Sequence, residues 1–498
     1  MKLIFLARNF FWPVTDRIEK ANDMKTPFKS ETILRRSIMN FITCTMAATC
    51  VAAFAGSALA AVSAEEAKQL GGPVLTEWGA ERAGNKDGSI PAYTAERVKI
   101  PASYDPKEPG QYPDPFGDKP LYTITAQNMD KYADKLTDGM KALFKIYPTY
   151  RMDIYQTHRT TIYPKYVIEN SIKNATSCKT ANNGLRMEGC YGGVPFPIPK
   201  TGNEVIWNHL VSFNAPAFQG VAKSWIVDST GKPQLQAELD VNYHFPYWDD
   251  TPGQRASNSL FWKLRFDYIG PARRVGEKYV ILNSLDALDP GQRAYIYVPG
   301  QRRVKLAPDL AYDTPSPVSG GSSTMDEQQG FLGAQDRYNF KLIGKKEVYM
   351  NVNTNKTVDY KACPIEKLYT KNFANPDCMR WELRRAWVVE GTLKPGFRHI
   401  IPRRMVYFDE DGPLAAVGDM FDAGGKLFRF DFNPQFVVYG LDGNQWTMAN
   451  TACTYDLNTG LLYWSTGLNH PGGGYYASKK PKSDFYFSPE ALAGEGIR

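Results

Sequence analysis

The side chains best suited to catalysis or metal binding in this chain are five histidines that lie far apart. They are His158, His209, His244, His399 and His470. None has the spacing of a metal-ligand pair, and the chain holds no G-x-S-x-G, H-E-x-x-H, G-x-x-x-x-G-K or G-x-G-x-x-G segment. A Ser/His/Asp site assembled from distant segments stays open, although His399 is predicted to lie on a strand surface. We therefore predict no catalytic residue and no cofactor.

The acidic cluster Asp409-Glu410-Asp411 is a second candidate for chemistry, because carboxylate oxygens are the ligands that calcium prefers. The cluster lacks the wider oxygen spacing of a calcium loop. Gly412 and Pro413 follow it, a composition that ends a strand. We predict a solvated turn that blocks edge pairing, and no metal site.

The cysteines indicate an oxidising compartment. The pairs Cys178–Cys190 and Cys363–Cys378 are close enough in sequence to form disulfides across short loops. Cys453 is left over and is predicted to be a buried free thiol. No C-x-x-C is present, which argues against a redox or zinc-ribbon role.

Residues 1–60 have the pattern of an export signal, with Met24 as a plausible true start. Arg35-Arg36 precede an apolar run from Ile38 to Ala55, and Ala58-Leu59-Ala60 ends it with small residues. We expect cleavage after Ala60 and a periplasmic protein. Residues 1–60 hold 8 Lys/Arg and 4 Asp/Glu, which leaves 51 basic and 48 acidic residues in the mature chain. So balanced a charge argues against nucleic-acid binding.

The stretch 381–432 predicts an antiparallel meander with one aromatic face. Apolar and charged residues alternate from Trp381 to Leu393, as in a strand with one buried face. Turn residues at 394–396 and 422–425 separate the later strands. We predict that this face lines a ligand cavity, with two residues of a proline-rich segment at its mouth. The predicted lining is Trp381, Leu383, Trp387, Val389, Phe428, Phe430 and Phe432, with Phe196 and Ile198 at the mouth.

Helical patterns are confined mainly to residues 125–213. An amphipathic helix is predicted from a cap at Thr125 to Ile146, followed by helices at Tyr166–Asn174 and Asn203–Phe213. The mature chain then divides into an extended segment (61–124), a helical lid with a disulfide loop and a proline-rich segment (125–213), and a curved antiparallel sheet (214–498). We expect lid and sheet to form one domain, with the glycine/serine patch Ser316–Ser323 as the best candidate boundary. The predicted fold class is α+β, mainly β: a large curved sheet, curled into a partial barrel, with helices over its concave face.

Four stretches resemble a known family. They are Leu75–Asn85 with Gly88–Ala92; Gly192–Pro197; Tyr295–Val304 followed by Asp326-Glu327 and Gly330–Gly333; and Arg380–Leu383 through Leu393–Gly396. The chain is similar to an uncharacterised family of Gram-negative exported proteins, a domain of unknown function labelled outer-membrane lipoprotein-sorting-like. The resemblance implies a fold like the carriers LolA and LolB, an unclosed barrel with helices plugging an apolar cavity. It also implies a partner among RND-type exporters or outer-membrane proteins.

Together these features favour a non-enzymatic periplasmic carrier or chaperone for a lipid or other hydrophobic molecule. Each CH₂ group left in water costs about 0.8 kcal/mol, so a carrier must offset most of that cost and still release its ligand. Two alternatives stay open. One is an accessory subunit with a filled core that docks to an envelope transporter, and the other is a periplasmic hydrolase.

Overall fold

The computed structural model describes residues 62–494 apart from 106, 109, 251–258, 442–443, 450–451 and 479. The predicted export signal lies outside the described residues. Within them there are six α-helices: α1 (Ala64–Ala67), α2 (Asp138–Ile146), α3 (Lys165–Ser177), α4 (Gly202–Leu210), α5 (Ile365–Leu368) and α6 (Pro489–Gly494).

The described chain also contains twenty strands. They are β1 (Tyr122–Thr125), β2 (Arg151–Ile154), β3 (Lys179–Ala181), β4 (Arg186–Glu188), β5 (Ala217–Val227), β6 (Pro233–His244), β7 (Leu260–Gly270), β8 (Lys278–Ser284), β9 (Arg293–Val298), β10 (Arg303–Leu306), β11 (Tyr338–Met350), β12 (Glu382–Leu393), β13 (Arg403–Asp409), β14 (Ala415–Phe421), β15 (Leu427–Phe432), β16 (Gln435–Leu441), β17 (Asn444–Ala449), β18 (Cys453–Asp456), β19 (Leu462–Gly467) and β20 (Gly474–Ser478).

Fourteen of these strands form one antiparallel sheet. Its order is β10-β9-β8-β7-β6-β5-β19-β18-β15-β14-β13-β12-β11, and β20 pairs with β5. In the described part of the chain β10 and β11, at the two ends, do not pair with each other, so the sheet is not closed. The prediction of a large, unclosed, mainly antiparallel β fold is confirmed. The predicted meander is also confirmed, as β12 to β15.

The register defines two faces of this sheet, because residues directly opposite one another point to the same side. Asp419, Phe430 and Tyr455 are cross-strand partners on the face that we call the α2 face. Gly418, Asp431 and Thr454 form the neighbouring row, on the face that we call the plug face. Both faces are covered, so the two rows are almost entirely buried.

Helix α2 covers the first of these faces. Asp419 accepts hydrogen bonds from Thr137 Oγ1 at 3.0 Å and from the backbone N–H groups of Asp138 at 3.0 Å and Gly139 at 2.9 Å. The predicted helix start at Thr125 is wrong, since Thr125 ends β1 and Thr137 is the cap. Both threonines suit a cap, and Thr125 is held in the β1–β2 ladder opposite Arg151. The buried stripe Met140, Leu143 and Phe144 is nevertheless where the spacing predicts it.

Helix α4 lies on the other side of the sheet, whereas α3 is hydrogen-bonded to the segment 192–194. Thr201 and Glu204 form a capping box at the start of α4, whose Val205 and Ile206 pack against β11 to β13 on the plug face. Residues 125–213 therefore do not form one lid over one surface. The helices span Lys165–Ser177 and Gly202–Leu210, close to their predicted bounds.

The covalent predictions are confirmed. Disulfides join Cys178 to Cys190 and Cys363 to Cys378, with Cα–Cα distances of 4.6 and 5.8 Å. Cys453 is a buried free thiol. No helix among the described residues has the length and apolar character needed to cross a membrane.

Candidate ligand-binding pocket

One wall of an apolar pocket is built by alternate residues of three neighbouring strands. Val241 of β6 lies opposite Phe266 of β7, and Leu264 of β7 lies opposite Ile281 of β8. Because side chains alternate along a strand, every second residue here points to the same side of the sheet. The sheet wall consists of Leu239, Val241, Tyr243, Trp262, Leu264, Phe266 and Ile281.

The opposite wall is a long loop, residues 307–337, which we call the plug. Leu310, Val318, Met325 and Leu332 project from it into the pocket. Inside the plug, the Ser316 N–H donates to Ser323 O at 2.8 Å and the Ser323 N–H donates to Ser319 Oγ at 3.1 Å. These hydrogen bonds, with that from Ser319 Oγ to Ser316 O at 3.0 Å, pair backbone groups of the plug with one another and with the Ser319 hydroxyl.

The plug contradicts the interpretation of Ser316–Ser323 as a domain boundary. Ser316 and Ser319 have no exposed surface, and Ser323 is 1% exposed. A linker between two domains is exposed to solvent, whereas these three serines are buried in the same domain as the sheet. The Asp326-Glu327 and Gly330–Gly333 stretches both belong to the plug.

The pocket has a volume of about 90 Å³. Polar groups are a minority of its lining and come mainly from Gln292, Gln328, Gln329, Ser316 and Ser465. An apolar cavity of roughly 150 Å³ holds a benzene molecule, so this space accepts a short alkyl group and not a whole acyl chain. A longer ligand requires the plug to move.

Two ion pairs fasten the plug to the sheet next to the pocket. Asp326 Oδ2 lies 2.8 Å from Arg404 Nη2 on β13, and Glu327 Oε2 lies 2.6 Å from Arg429 Nη1 on β15. Burial acts to raise the pKa of Asp326, but Arg404 and His399 outweigh it and hold that pKa below its ordinary value. Asp326 is therefore ionised, and the plug is held by a buried charge pair.

Two further buried groups adjoin these pairs. The imidazole of His399 is fully buried, with Nε2 2.9 Å from Asp326 Oδ2, so its predicted place on a strand surface is wrong. Burial, followed by the nearby Glu327 carboxylate, raises the pKa of Asp431 well above its ordinary value. Both causes favour the protonated form of this carboxyl group.

The acidic cluster at 409–411 is buried, so its prediction as a solvated turn is wrong. Asp409 is 1% exposed and Asp411 is 2% exposed. Arg384 Nη2 lies 2.8 Å from Asp409 Oδ2 and 2.9 Å from Asp411 Oδ2, and Arg159 Nε donates to Asp411 Oδ2 at 2.9 Å. Positive partners from distant segments neutralise these carboxylates, which lets them leave water. In the described residues no group of three or more His, Cys, Asp and Glu side chains is arranged to hold a metal ion.

The nine residues predicted to line a cavity are divided among separate clusters. Val389 lies opposite Val406, on the plug face, whereas Phe430 lies opposite Asp419, on the α2 face, so the expectation of a single shared face is wrong. None of the nine lines the pocket described above, and their contact with a ligand stays a prediction. The packed clusters hold Trp381, Leu383, Phe430 and Phe432; Trp387 and Val389; Phe428; and Phe196, while Ile198 is half-buried.

The α2 face shows why no space opens there. A Cβ atom built on Gly139 would lie 2.1 Å from Phe430 Cδ2. Trp381 and Phe432 have ring centroids 5.7 Å apart, within the range of direct aromatic contact. On this face, the aromatic residues that were predicted to line a cavity instead fill the space between α2 and the sheet.

Comparison with known proteins places the chain in a family. The model of a family described as "Protein of unknown function (DUF1329)" matches residues 123–493. An uncharacterized protein of Pseudomonas aeruginosa is 37% identical over 442 residues, which cover 88% of this chain and 95% of the relative. These matches confirm the family resemblance.

Two solved structures are similar at low sequence identity. One is a putative outer membrane lipoprotein-sorting protein domain from Vibrio parahaemolyticus, with 10% identity, a TM-score of 0.37, and coverage of 57% of this chain and 94% of that one. The other is a LolA superfamily protein from Nitrosomonas europaea, with 9% identity, a TM-score of 0.33, and coverage of 59% and 100%.

Proposed function

This chain belongs to the DUF1329 family, and we propose that it is a non-enzymatic carrier that binds a lipid or other hydrophobic molecule between the sheet and the plug. The observation that carries the proposal is the pocket lined by Leu239, Val241, Trp262, Leu264 and Phe266 on one side and by plug residues on the other. Apolar space enclosed by one fixed and one separable wall suits reversible uptake of an apolar ligand.

The two walls differ in how they are held. The sheet wall is part of a continuous hydrogen-bonded ladder from β6 to β8. The plug is attached through side-chain ion pairs, through packing of Phe331, and through backbone hydrogen bonds near its two ends, from the Ala307 N–H to Ala294 O and from the Lys394 N–H to Arg337 O. A wall of this second kind opens without breaking the sheet, as a carrier needs for loading and release.

The cellular location that fits this role is the periplasm. Two disulfides form in an oxidising compartment, and residues 1–60 carry the pattern of an export signal. In that location an RND-type exporter or an outer-membrane protein would exchange the ligand with the carrier.

The proposed site can be tested with a brominated fatty acid, because bromine quenches only tryptophans close to it. Trp262 lines the pocket, whereas Trp381 is packed on Phe432. We expect saturable quenching of the wild type, a clear loss of quenching in Trp262→Phe, and no loss in Trp381→Phe. Loss of quenching in Trp381→Phe alone would instead indicate that the ligand lies among the residues predicted from the sequence to line the cavity. Absence of saturable quenching in the wild type would contradict the carrier.

A second candidate function is favoured by the small size of the pocket and the packed clusters on both faces. In this case the protein is an accessory subunit with a filled core that docks to an envelope transporter. A protein that binds no hydrophobic probe but co-purifies with one such transporter after cross-linking in cells would establish this alternative.

A further inference from the structure

Two buried arginines lie side by side on the sheet next to the pocket. Arg404 and Arg429 are both cross-strand partners of Met420, one on each side, so they share a face and are about 10 Å apart along the hydrogen-bonding direction. Arg404 has no exposed surface, and Arg429 is 7% exposed. Arginine matches carboxylate and phosphate oxygens with a rigid fork of donors.

The strongest carboxylate contacts of both arginines come from the plug. Asp326 and Glu327 are consecutive residues, and their carboxylates approach Arg404 and Arg429 to 2.8 and 2.6 Å. On the sheet itself, Arg404 Nη2 donates to the Tyr338 hydroxyl at 2.8 Å, and Asp456 Oδ2 lies 3.6 Å from Arg429 Nε. Departure of the plug would therefore leave two cations inside the protein without their main counter-charges.

The plug does not use all the donors that these arginines offer. Among the described residues, Nε and Nη1 of Arg404 and Nε of Arg429 have no hydrogen-bond partner. The Arg404 guanidinium lies over the rings of Phe331 and Tyr338, at 5.0 and 4.6 Å from their centroids. The site thus presents more donors than two plug carboxylates satisfy, in a place shielded from water.

The same two plug residues adjoin the pocket. Met325 precedes the acidic pair and Gln328 follows it, and both line the pocket. An apolar space and two cations therefore meet at one point of the plug. This is the arrangement required by a molecule with an apolar tail and a negatively charged head.

We propose, as an extension of the carrier function, that the ligand is an anionic amphiphile whose carboxylate or phosphate-monoester head replaces Asp326 and Glu327 on Arg404 and Arg429. Its tail lies in the pocket along β6 to β8. The acidic pair of the plug occupies the head-group position in the empty protein and leaves it when ligand enters. Entry of the ligand and opening of the plug are thus a single exchange, in which the ligand head group takes the place of the plug carboxylates.

Three twelve-carbon competitors test this inference on the wild-type mature protein. Dodecanoate, dodecyl phosphate and dodecanol share one tail, and each is titrated against an uncharged environment-sensitive probe. We expect at least one of the two anions to displace the probe at a concentration at least tenfold lower than the concentration of dodecanol that does so. Equal potency of all three would overturn the anionic head while leaving the carrier intact. If none displaces the probe and the probe itself does not bind, the carrier function fails instead.

A matched pair of double variants locates the head group. Glu327→Gln/Arg429→Gln removes both charges of one buried ion pair, and we expect it to reduce the anion preference to less than threefold with unchanged dodecanol potency. Glu390→Gln/Arg403→Gln removes an ion pair of 2.7 Å on neighbouring strands and should change neither value. An anion preference that survives the first double variant would refute the assignment to Arg429. The wild-type comparison decides the inference if that variant does not fold.

Discussion

Replacing Val318 with tryptophan fills the pocket from the plug side. Val318 is half-buried and lines the pocket, so a larger side chain at this position takes up pocket space. A tryptophan side chain is larger than a valine side chain by roughly 90 Å³, a volume sufficient to fill the pocket at the close packing of a protein interior. The pocket itself has about 90 Å³.

The expected loss of affinity follows from the part of the tail that is excluded. A space of this size holds about three methylene groups at the density of a protein interior. At about 0.8 kcal/mol for each buried CH₂, their exclusion costs about 2.4 kcal/mol, or about 50-fold in Kd. A loss of affinity is also expected if the plug opens to admit the ligand, because opening exposes the indole that was buried in the pocket.

The assay is titration of an environment-sensitive fatty-acid probe into Val318→Trp and into a control. Val304→Trp is the control, since Val304 is also half-buried but packs with Phe487 and Leu492 near the C-terminal helix. We expect the Kd of the control to stay within twofold of the wild type. A folded Val318→Trp protein with wild-type Kd would refute the location of the ligand under the plug.

Three further predictions concern stability. Gly139→Ala places a Cβ 2.1 Å from Phe430 Cδ2 and 2.7 Å from Asp419 Oδ1, so we expect a loss of about 3 kcal/mol of unfolding free energy in urea titrations, against almost none for the open position Gly117→Ala. Burial lowers the pKa of His209 from 6.5 to about 4, so its contribution to stability is present above pH 6.5 and is lost as the pH falls to 4. The wild type should therefore lose about 3 kcal/mol more unfolding free energy over that interval than His209→Asn, which keeps an acceptor for the Ala415 N–H. Equal losses would disprove this assignment. Cys363→Ser/Cys378→Ser opens a 15-residue loop and should cost about 3 kcal/mol in the same measurement, whereas an unchanged midpoint would contradict a stabilising role of the disulfide.

Local patterns predicted the elements of this fold more reliably than its faces. The alternation in 381–432 and the turn residues correctly indicated β12 to β15, because strand period and turn chemistry are local properties. The shared face was not predictable. Val389, Val406, Gly418 and Asp431 form one cross-strand row, so Phe430, next to Asp431, points to the other face, and a single strand carries no local mark of this register.

The plug and the buried charges were missed for a different reason. Serines and glycines at 316–323 have the composition of a solvated loop, yet Ser316, Ser319 and Ser323 are buried with hydrogen bonds among them. Asp411 likewise looks like part of a surface turn until Arg159, which is 252 residues away in the chain, is brought beside it. Partners at this separation leave no periodic signal. The one usable sign was that Asp326-Glu327 lies within a stretch shared with the family.

The proposed carrier holds a hydrophobic molecule in the space between β6 to β8 and the plug. Native mass spectrometry, followed by lipid extraction, of the protein purified gently from its native host cells tests this. We expect a mass increment that disappears on extraction, a defined hydrophobic compound in the extract, and a much smaller bound fraction for Val318→Trp prepared in parallel. Bare wild-type protein, or the same compound bound equally by Val318→Trp, would contradict it.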